Sequence, residues 1–438
     1  PLYGWGKYPI TQSHSHTLFS QQQAPAQILA LPSNNSIARG LGRSYGDSSL
    51  ASDSLNALKL NHFLGFDETS GILNCEAGVS FSEILQTFIP KGWFLPVTPG
   101  TQFITVGGAI ASDVHGKNHH LDGSFSDHLI DFTIALAKGD IVTCSPTENR
   151  ELFLATCGGM GLTGVILKAR FKMQPIDNAY IDEITFKTAN LAETLEKFEE
   201  NESATYSVAW IDCLASGDEL GRSLLMLGEH AKAIPDDVEA LKAASHSKLN
   251  MPFNFPSFTL NQYSIKAFNA VYYAKVRFKV SKRLVNYAPF FYPLDAIRNW
   301  NRMYGKNGFV QYQFVIPKSA GLDGLTHILN EIVQSQRGSF LAVLKVFGKG
   351  NYNYLSFPTE GYTLALDFKM DATLLAFLDR LDEIVLQYGG RLYLTKDARM
   401  SEATFKQSYP QWEQFQAVRE SVQATDKFNS LQSRRLGL

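Results

Sequence analysis

The chain has 438 residues, 45% of them hydrophobic and 19% charged, with a formal net charge of −2. That length exceeds one simple core and predicts two domains, while the near-neutral balance gives no electrostatic basis for a nucleic-acid partner. No run of 18 uncharged apolar residues occurs and the start, PLYGWGKYPI, lacks a signal-peptide core, so a soluble or peripherally attached protein is expected.

Cys75, Cys144, Cys157 and Cys213 are widely spaced and form no C-x-x-C pair, which indicates neither a zinc site nor a disulfide framework. Short elements over 27–30 and 36–38 lead into a first glycine loop, Arg39-Gly40-Leu41-Gly42-Arg43-Ser44-Tyr45-Gly46-Asp47. Its G-x-G-x-x-x-G spacing is one residue too long for the dinucleotide fingerprint. Strand-like runs follow at 57–60 and 72–77, then an amphipathic helix over 80–88.

The stretch 98–120 collects Pro99-Gly100-Thr101, Gly107-Gly108 and His115-Gly116-Lys117-Asn118-His119-His120. Glycine lets a main chain approach a ligand closely, and free N–H groups in such turns suit phosphate oxygens. A phosphate-bearing cofactor is therefore expected here. The group His115, His119, His120 and His128 predicts no metal site, because Gly116 and Gly123 break any helix that would align it.

A strand over 131–137 and a helix over 151–156 precede Gly159-Met160-Gly161-Leu162-Thr163-Gly164, which matches G-x-G-x-x-G. A nicotinamide site needs a strand before this motif and a helix after it. Here a helix precedes it, and 167–173 alternates apolar and basic residues like a strand. Gln174-Pro175 marks a boundary; a strand over 205–212 and a helix over 236–244 follow.

Residues 249–293 interleave Tyr263, Phe268, Tyr272, Tyr273 and Phe278 with Lys266, Lys275, Arg277, Lys279, Lys282 and Arg283. That pattern fits an anionic-lipid surface; it also fits a core segment with snorkelling lysines, which pattern alone favours. From 309 onward, strands over 309–316, 340–347, 362–369 and 391–395 alternate with helices over 319–336 and 371–388. The order β-α-β-β-α-β predicts an antiparallel sheet with helices on one face. Alternation sets Gln311 and Gln313 against Tyr312, Phe314 and Ile316, and Thr363, Ala365 and Asp367 against Leu364, Leu366 and Phe368. No internal repeat is visible in the sequence.

The two glycine loops, DVHGKNHH, CGGMGLTGV and GGRLYLTKDAR together resemble the decaprenylphosphoryl-β-D-ribose 2′-oxidases, within the vanillyl-alcohol-oxidase (PCMH-type) FAD-binding group. The likeness extends over SVAWID, FYPLD, QYQFVIP and LKVFG. It implies an α+β fold, with a two-subdomain FAD-binding domain over 1–178 completed by 391–438, and a substrate-binding domain over 179–390 covering the flavin. The strand at 391–395 would then leave the six-element unit. FAD binding is implied for Arg39, Gly40, Leu41, Gly42, Arg43, Ser44, Tyr45, Gly46, Asp47 and Ser48 in the first loop. In the second it is implied for Gly100, Thr105, Val106, Gly107, Gly108, Ser112, Asp113, Val114, His115, Gly116, Lys117 and Asn118, and beyond it for Ile166 and Tyr393. Many relatives tether FAD through a histidine in the first loop; Arg43-Ser44-Tyr45 stands there and no cysteine lies between 100 and 120, so FAD is expected to be non-covalent.

The implied reaction oxidises the 2′-hydroxyl of a polyprenyl-phosphoryl ribose to the 2′-keto sugar, the first half of an epimerisation to the arabinose form in envelope biosynthesis. Lys396, His115 and Tyr45 form the catalytic set, and Gln311, Gln313, Lys345, Thr363, Ala365 and Lys396 the substrate set. An ordinary lysine, with pKa near ~10.4, is an anchor; it becomes a base only if burial lowers that value. Lys345 sits among Leu341, Val343 and Phe347, so either an anionic ligand or a structural carboxylate is expected beside it. Strict alternation sides Lys396 with Leu392 and Leu394, away from Tyr393, so the strand should end or twist there. Mycobacterial members of that family carry a cysteine that anchors nitroaromatic inhibitors where this chain has Ala365, so such compounds should bind without a bond. Expected partners are the lipid-linked sugar phosphate, an NAD(P)H-dependent short-chain reductase and an external acceptor such as quinone, at a cytoplasmic or inner-membrane-peripheral location. The competing enzyme reading is an oxidase of a soluble sugar alcohol or aldonolactone; a catalytically idle flavin-binding protein is a third.

Overall fold

Ser80 and Glu83 show how local chemistry starts an element. The Ser80 hydroxyl accepts from the Glu83 amide and the Glu83 carboxylate accepts from the Ser80 amide, so the helix Phe81–Phe88 begins with a reciprocal cap and buries Phe81, Ile84, Leu85 and Phe88. In the computed structural model, which describes residues 1–438 except Ser33, Asp237, 246–248 and Ser257, this helix belongs to a region with two small sheets and two two-stranded ribbons, Leu2–Tyr3 with Ile10–Thr11 and Trp93–Phe94 with Gln174–Pro175. One sheet is parallel, with Asp53–Asn56 between His14–Thr17 and Ser36–Arg39. The other is antiparallel, ordered Ile141–Cys144, Leu129–Ala135, Val165–Lys172, Ile72–Glu76 and Phe63–Asp67.

Alternation sets the faces: Leu167, Ala169 and Phe171 are buried while Arg170 and Lys172 point out. The helix Arg150–Thr156 precedes the G-x-G-x-x-G segment and the strand Val165–Lys172 follows it, the reverse of a nicotinamide site. The strand expected at 57–60 lies earlier, at Asp53–Asn56, because the Asn56 side chain accepts from the Leu58 amide and turns the chain. C-terminal helices Glu402–Ser408, Trp412–Ser421 and Leu431–Arg435 return to this region. There the fully buried Arg419 donates to the carbonyls of Leu162 and Phe428.

The rest of the chain builds one eight-stranded antiparallel sheet. Its strands are β1 (Tyr180–Thr188), β2 (Tyr206–Ile211), β3 (Ser223–His230), β4 (Val280–Asn286), β5 (Phe309–Pro317), β6 (Ala342–Phe347), β7 (Gly361–Lys369) and β8 (Arg391–Leu392), in the order β4-β1-β3-β2-β6-β7-β5-β8. The sheet is therefore an internal repeat: two units of order 4-1-3-2 meet edge to edge, with Ala209 opposite Leu344 and Trp210 opposite Val343. The first unit hides its repeat behind a 31-residue insertion between β3 and the helix Gln262–Ala274, counting 231–261.

Two expectations change and a third, that the strand before Lys396 ends early, holds. Residues 236–244, apart from the undescribed Asp237, form turns and not a helix. β8 pairs with Phe314 and Val315, so the six-element unit keeps its last strand. That strand is only two residues long, and the Lys396 amide donates to the Tyr393 carbonyl in the turn that follows, which removes the alternation conflict. On the helix side Tyr312 donates to Asp382 of Leu374–Gln387, leaving the Gln311 and Gln313 side free to face the first region. No helix among the described residues is long and apolar enough to cross a membrane.

Candidate active site

Between the small sheets and the polar face of the large one runs a cavity of about 510 Å³, a size typical of ligand sites. Both glycine loops line it. Among the described residues, the amides of Gly40 through Ser44 donate to no acceptor in the chain, and unpaired amides are costly unless something accepts from them. The loops also touch: a Cβ on Gly40 would sit 2.4 Å from the Thr105 hydroxyl, so only glycine permits this approach. A further donor is left over at His115. Its Nε2 accepts from the Gln313 amide at 3.2 Å, which places the proton on Nδ1, and Nδ1 is buried without a partner. A run of free amides between slim residues, with a buried imidazole N–H, is a donor set that fits a pyrophosphate-bearing cofactor.

Most of the residues expected at the cofactor border the cavity, including Arg39 to Tyr45, Gly100, Thr105, Gly107, Gly108, Ser112, His115, Lys117, Ile166 and Tyr393. Six do not, Asp113 among them. Gly46 packs on the Asp397 backbone, with a Cβ there only 1.8 Å from that carbonyl oxygen. Asp47 pairs with Arg435 at 2.8 Å, Val106 is in the core, and Gly116 packs against Asn118 and Thr98. Asn118 donates to Pro96 and Asp122. These hold the loops in shape and do not reach the cavity.

At the sheet end, Lys396, Lys345, Gln311, Gln313, Thr363 and Ala365 all line the cavity. The register explains why: Gln313 lies opposite Ala365, and Thr363 opposite Lys345. The Lys396 ammonium sits 3.9 Å from the centroid of the Tyr45 ring. Burial pulls its pKa down to about 7, opposed by Asp367 and assisted by Lys345. Asp367, which accepts from Gln311 at 2.6 Å and from Tyr304 at 3.3 Å, is pushed up to about 7 by burial. Lys345 is pulled to about 8 by burial. No carboxylate forms an ion pair with Lys345 among the described residues. Both lysines keep part of their surface open, and that part faces the cavity. Burial first, then Lys345, His119 and Lys396, holds His115 neutral. The cluster thus has a proton acceptor near neutral pH, an unpaired cation and neutral hydrogen-bonding groups within one polar pocket.

Other residues act here without a clear signal in the sequence. Trp5 lines the cavity, carries Arg43 at 3.9 Å from its ring, and donates its amide to the Ser44 carbonyl; only its aromaticity set it apart. Asp113, which the resemblance put at the cofactor, does not line the cavity; at φ 40°, it accepts from Asn351, Asn353 and Ser356. It thereby holds the loop that delivers Phe357, whose ring stacks on Tyr393 at 4.5 Å and borders His115. Asp367 was legible only as one polar position on a strand face.

The four cysteines are buried and none lines the cavity, where His115 is the only histidine among the described residues. Bound cofactor is therefore expected to leave the polypeptide on acid precipitation; yellow colour remaining in the washed pellet would contradict this.

A model described as "FAD binding domain" matches residues 25–145, and one described as "D-arabinono-1,4-lactone oxidase" matches 354–436. The chain is 38% identical over 411 residues to the decaprenylphosphoryl-beta-D-ribose oxidase of Mycolicibacterium smegmatis, covering 92% of this chain and 89% of that protein. It is 30% identical over 370 residues to an uncharacterised protein of Streptomyces coelicolor, covering 82% of this chain and all of that one. Similarity to the delta(24)-sterol reductase of Rattus norvegicus is 28% over 199 residues, 45% of this chain and 37% of the reductase.

Proposed function

The chain belongs to the decaprenylphosphoryl-β-D-ribose oxidase family and is an FAD-dependent oxidoreductase, and from that premise we propose that it oxidises the 2′-hydroxyl of a polyprenyl-phosphoryl pentose to the 2′-keto sugar. The observation that carries the reading is Lys396, drawn down to about 7 beside Asp367 and Tyr45 in a cavity that also holds the unpaired cation Lys345. Bound FAD supplies an acceptor for the hydride leaving the alcohol carbon. The chain's own task is to orient the sugar and remove the hydroxyl proton.

Lys396 Nζ in its neutral form takes that proton, with the Tyr45 ring beneath it favouring the ammonium that results. Gln311, Gln313 and Thr363 offer hydrogen bonds to the sugar, and Lys345 pairs with the phosphate. His115 offers its unspent Nδ1–H to cofactor or sugar. The keto product passes to an NAD(P)H-dependent short-chain reductase that completes epimerisation, and electrons leave to a quinone-like acceptor, with the protein peripheral to the membrane.

The match to D-arabinono-1,4-lactone oxidase over 354–436 favours a second reading, oxidation of a soluble lactone or sugar alcohol. Anaerobic mixing separates the two. Polyprenyl-phosphoryl ribose is expected to bleach the bound flavin within seconds, and aldonolactones and alditols are expected not to; bleaching by the soluble compounds alone would reverse the assignment.

A further inference from the structure

The helix Gln262–Ala274 is built unlike an ordinary surface helix. Ile265 and the fully buried Asn269 face inward, and Asn269 donates to Asp212 Oδ1 at 2.8 Å while Tyr273 donates to the Thr188 carbonyl at 3.0 Å. Those contacts fix which face is left outside. That face presents Tyr263, 74% exposed, and Val271, 72% exposed, with exposed Ala267, Ala270 and Ala274 between them. An outward face is normally polar. The apolar exposure continues past the helix in Phe278, 73% exposed, and Val280, 47% exposed, and contiguous exposed apolar surface marks a contact site.

Charge identifies the partner. Residues 249–292 contain no Asp or Glu, and Lys266, Lys275, Arg277, Lys279 and Lys282 are exposed with no ion pair among the described residues, whereas Arg283 is taken by Glu183 of β1 at 2.7 Å. Protection of an edge strand explains Lys282 and Arg283, since β4 is the outermost strand. It does not explain cations set beside outward-facing Tyr263, Val271 and Phe278. Apolar groups flanked by cations, with acids excluded, complement a surface that is anionic outside and hydrocarbon beneath.

We propose that this face docks on an anionic phospholipid bilayer, with Tyr263, Val271 and Phe278 in the headgroup–acyl boundary and Lys266, Lys275, Arg277, Lys279 and Lys282 among the phosphates. Tyr272, Lys275 and Arg283, from the same helix and strand, line the cavity. The cavity therefore opens at the docked face, and a polyprenyl phosphate presents its sugar there without its tail leaving the membrane. This consequence rests on the substrate reading above; the docking itself does not.

Flotation of the FAD-loaded enzyme with vesicles tests it. The enzyme is expected to float with an equal mixture of phosphatidylcholine and phosphatidylglycerol, to be released by salt, and to ignore phosphatidylcholine alone. Lys266→Gln with Lys279→Gln should weaken partition by about 30-fold, and Val271→Ser with Phe278→Ser should abolish it, each keeping the bound-FAD spectrum that reports folding. Equal binding to neutral vesicles, no binding to the mixed ones, variants that bind like the parent, or a dimer dispersed by the Val271/Phe278 change would overturn the proposal. Vesicle binding without oxidation of lipid-linked ribose would sink the substrate reading and leave docking intact. Oxidation in detergent without vesicle binding would do the reverse.

Discussion

Lys396→Met is expected to lower single-turnover flavin reduction by about a thousandfold, the range of a positioned proton acceptor, with FAD still bound. The pH profile of the parent carries the sign. Lys396 is lowered from 10.5 to about 7, so its neutral form grows as pH rises, and the rate should climb through pH about 7 and then level. Asp367 favours the protonated lysine and Lys345 disfavours it. Asp367→Asn should therefore move the rising limb to lower pH, and Lys345→Met should move it to higher pH. Lysine and aspartate titrate in the same range and interact, so the limb belongs to the pair. A rate that falls as pH rises through 7 would make Lys396 a cationic anchor, and an unchanged rate in Lys396→Met would remove it from the chemistry.

Lys345→Met is expected to raise KM for the phosphorylated substrate by about 10- to 100-fold, the worth of one charge-assisted contact. Thermal stability of the ligand-free protein should hold or rise. The reason is that Lys345 is largely enclosed, is lowered to about 8 by loss of solvent, and forms no ion pair among the described residues; methionine removes the cost of an unpaired cation. A structural lysine would behave otherwise, losing stability and turnover together. Differential scanning calorimetry beside initial-rate kinetics distinguishes the outcomes, and a phosphate-free sugar analogue should show little change between parent and variant.

The two glycine loops were legible because spacing alone makes them slim, yet their closeness was not: Gly40 meets Thr105 across 65 residues. The split sheet unit from 309 onward was readable from alternation, down to Gln311 and Gln313 on one face. Its twin was not, because the 231–261 insertion and the absence of matching residues conceal a repeat held in strand order. Lys396 was singled out by motif, with its orientation unresolved; a two-residue β8 and the turn at Tyr393 supply it. Trp5 escaped notice and Asp113 was placed at the cofactor instead of the loop it holds, since each acts through partners distant in sequence, Arg43 and the 351–356 loop.

What the sequence determines by itself is local: the caps, the strand faces, the failed nicotinamide motif and the bareness of the loops, all set by residues within a turn or two of one another. The tertiary structure decides the chemistry. Tyr45, His115, Lys345, Asp367 and Lys396 come from both ends of the chain, and a lysine is a base or an anchor according to the burial and charge around it. Those depend on every segment that closes over the cavity, and no short stretch of sequence contains them.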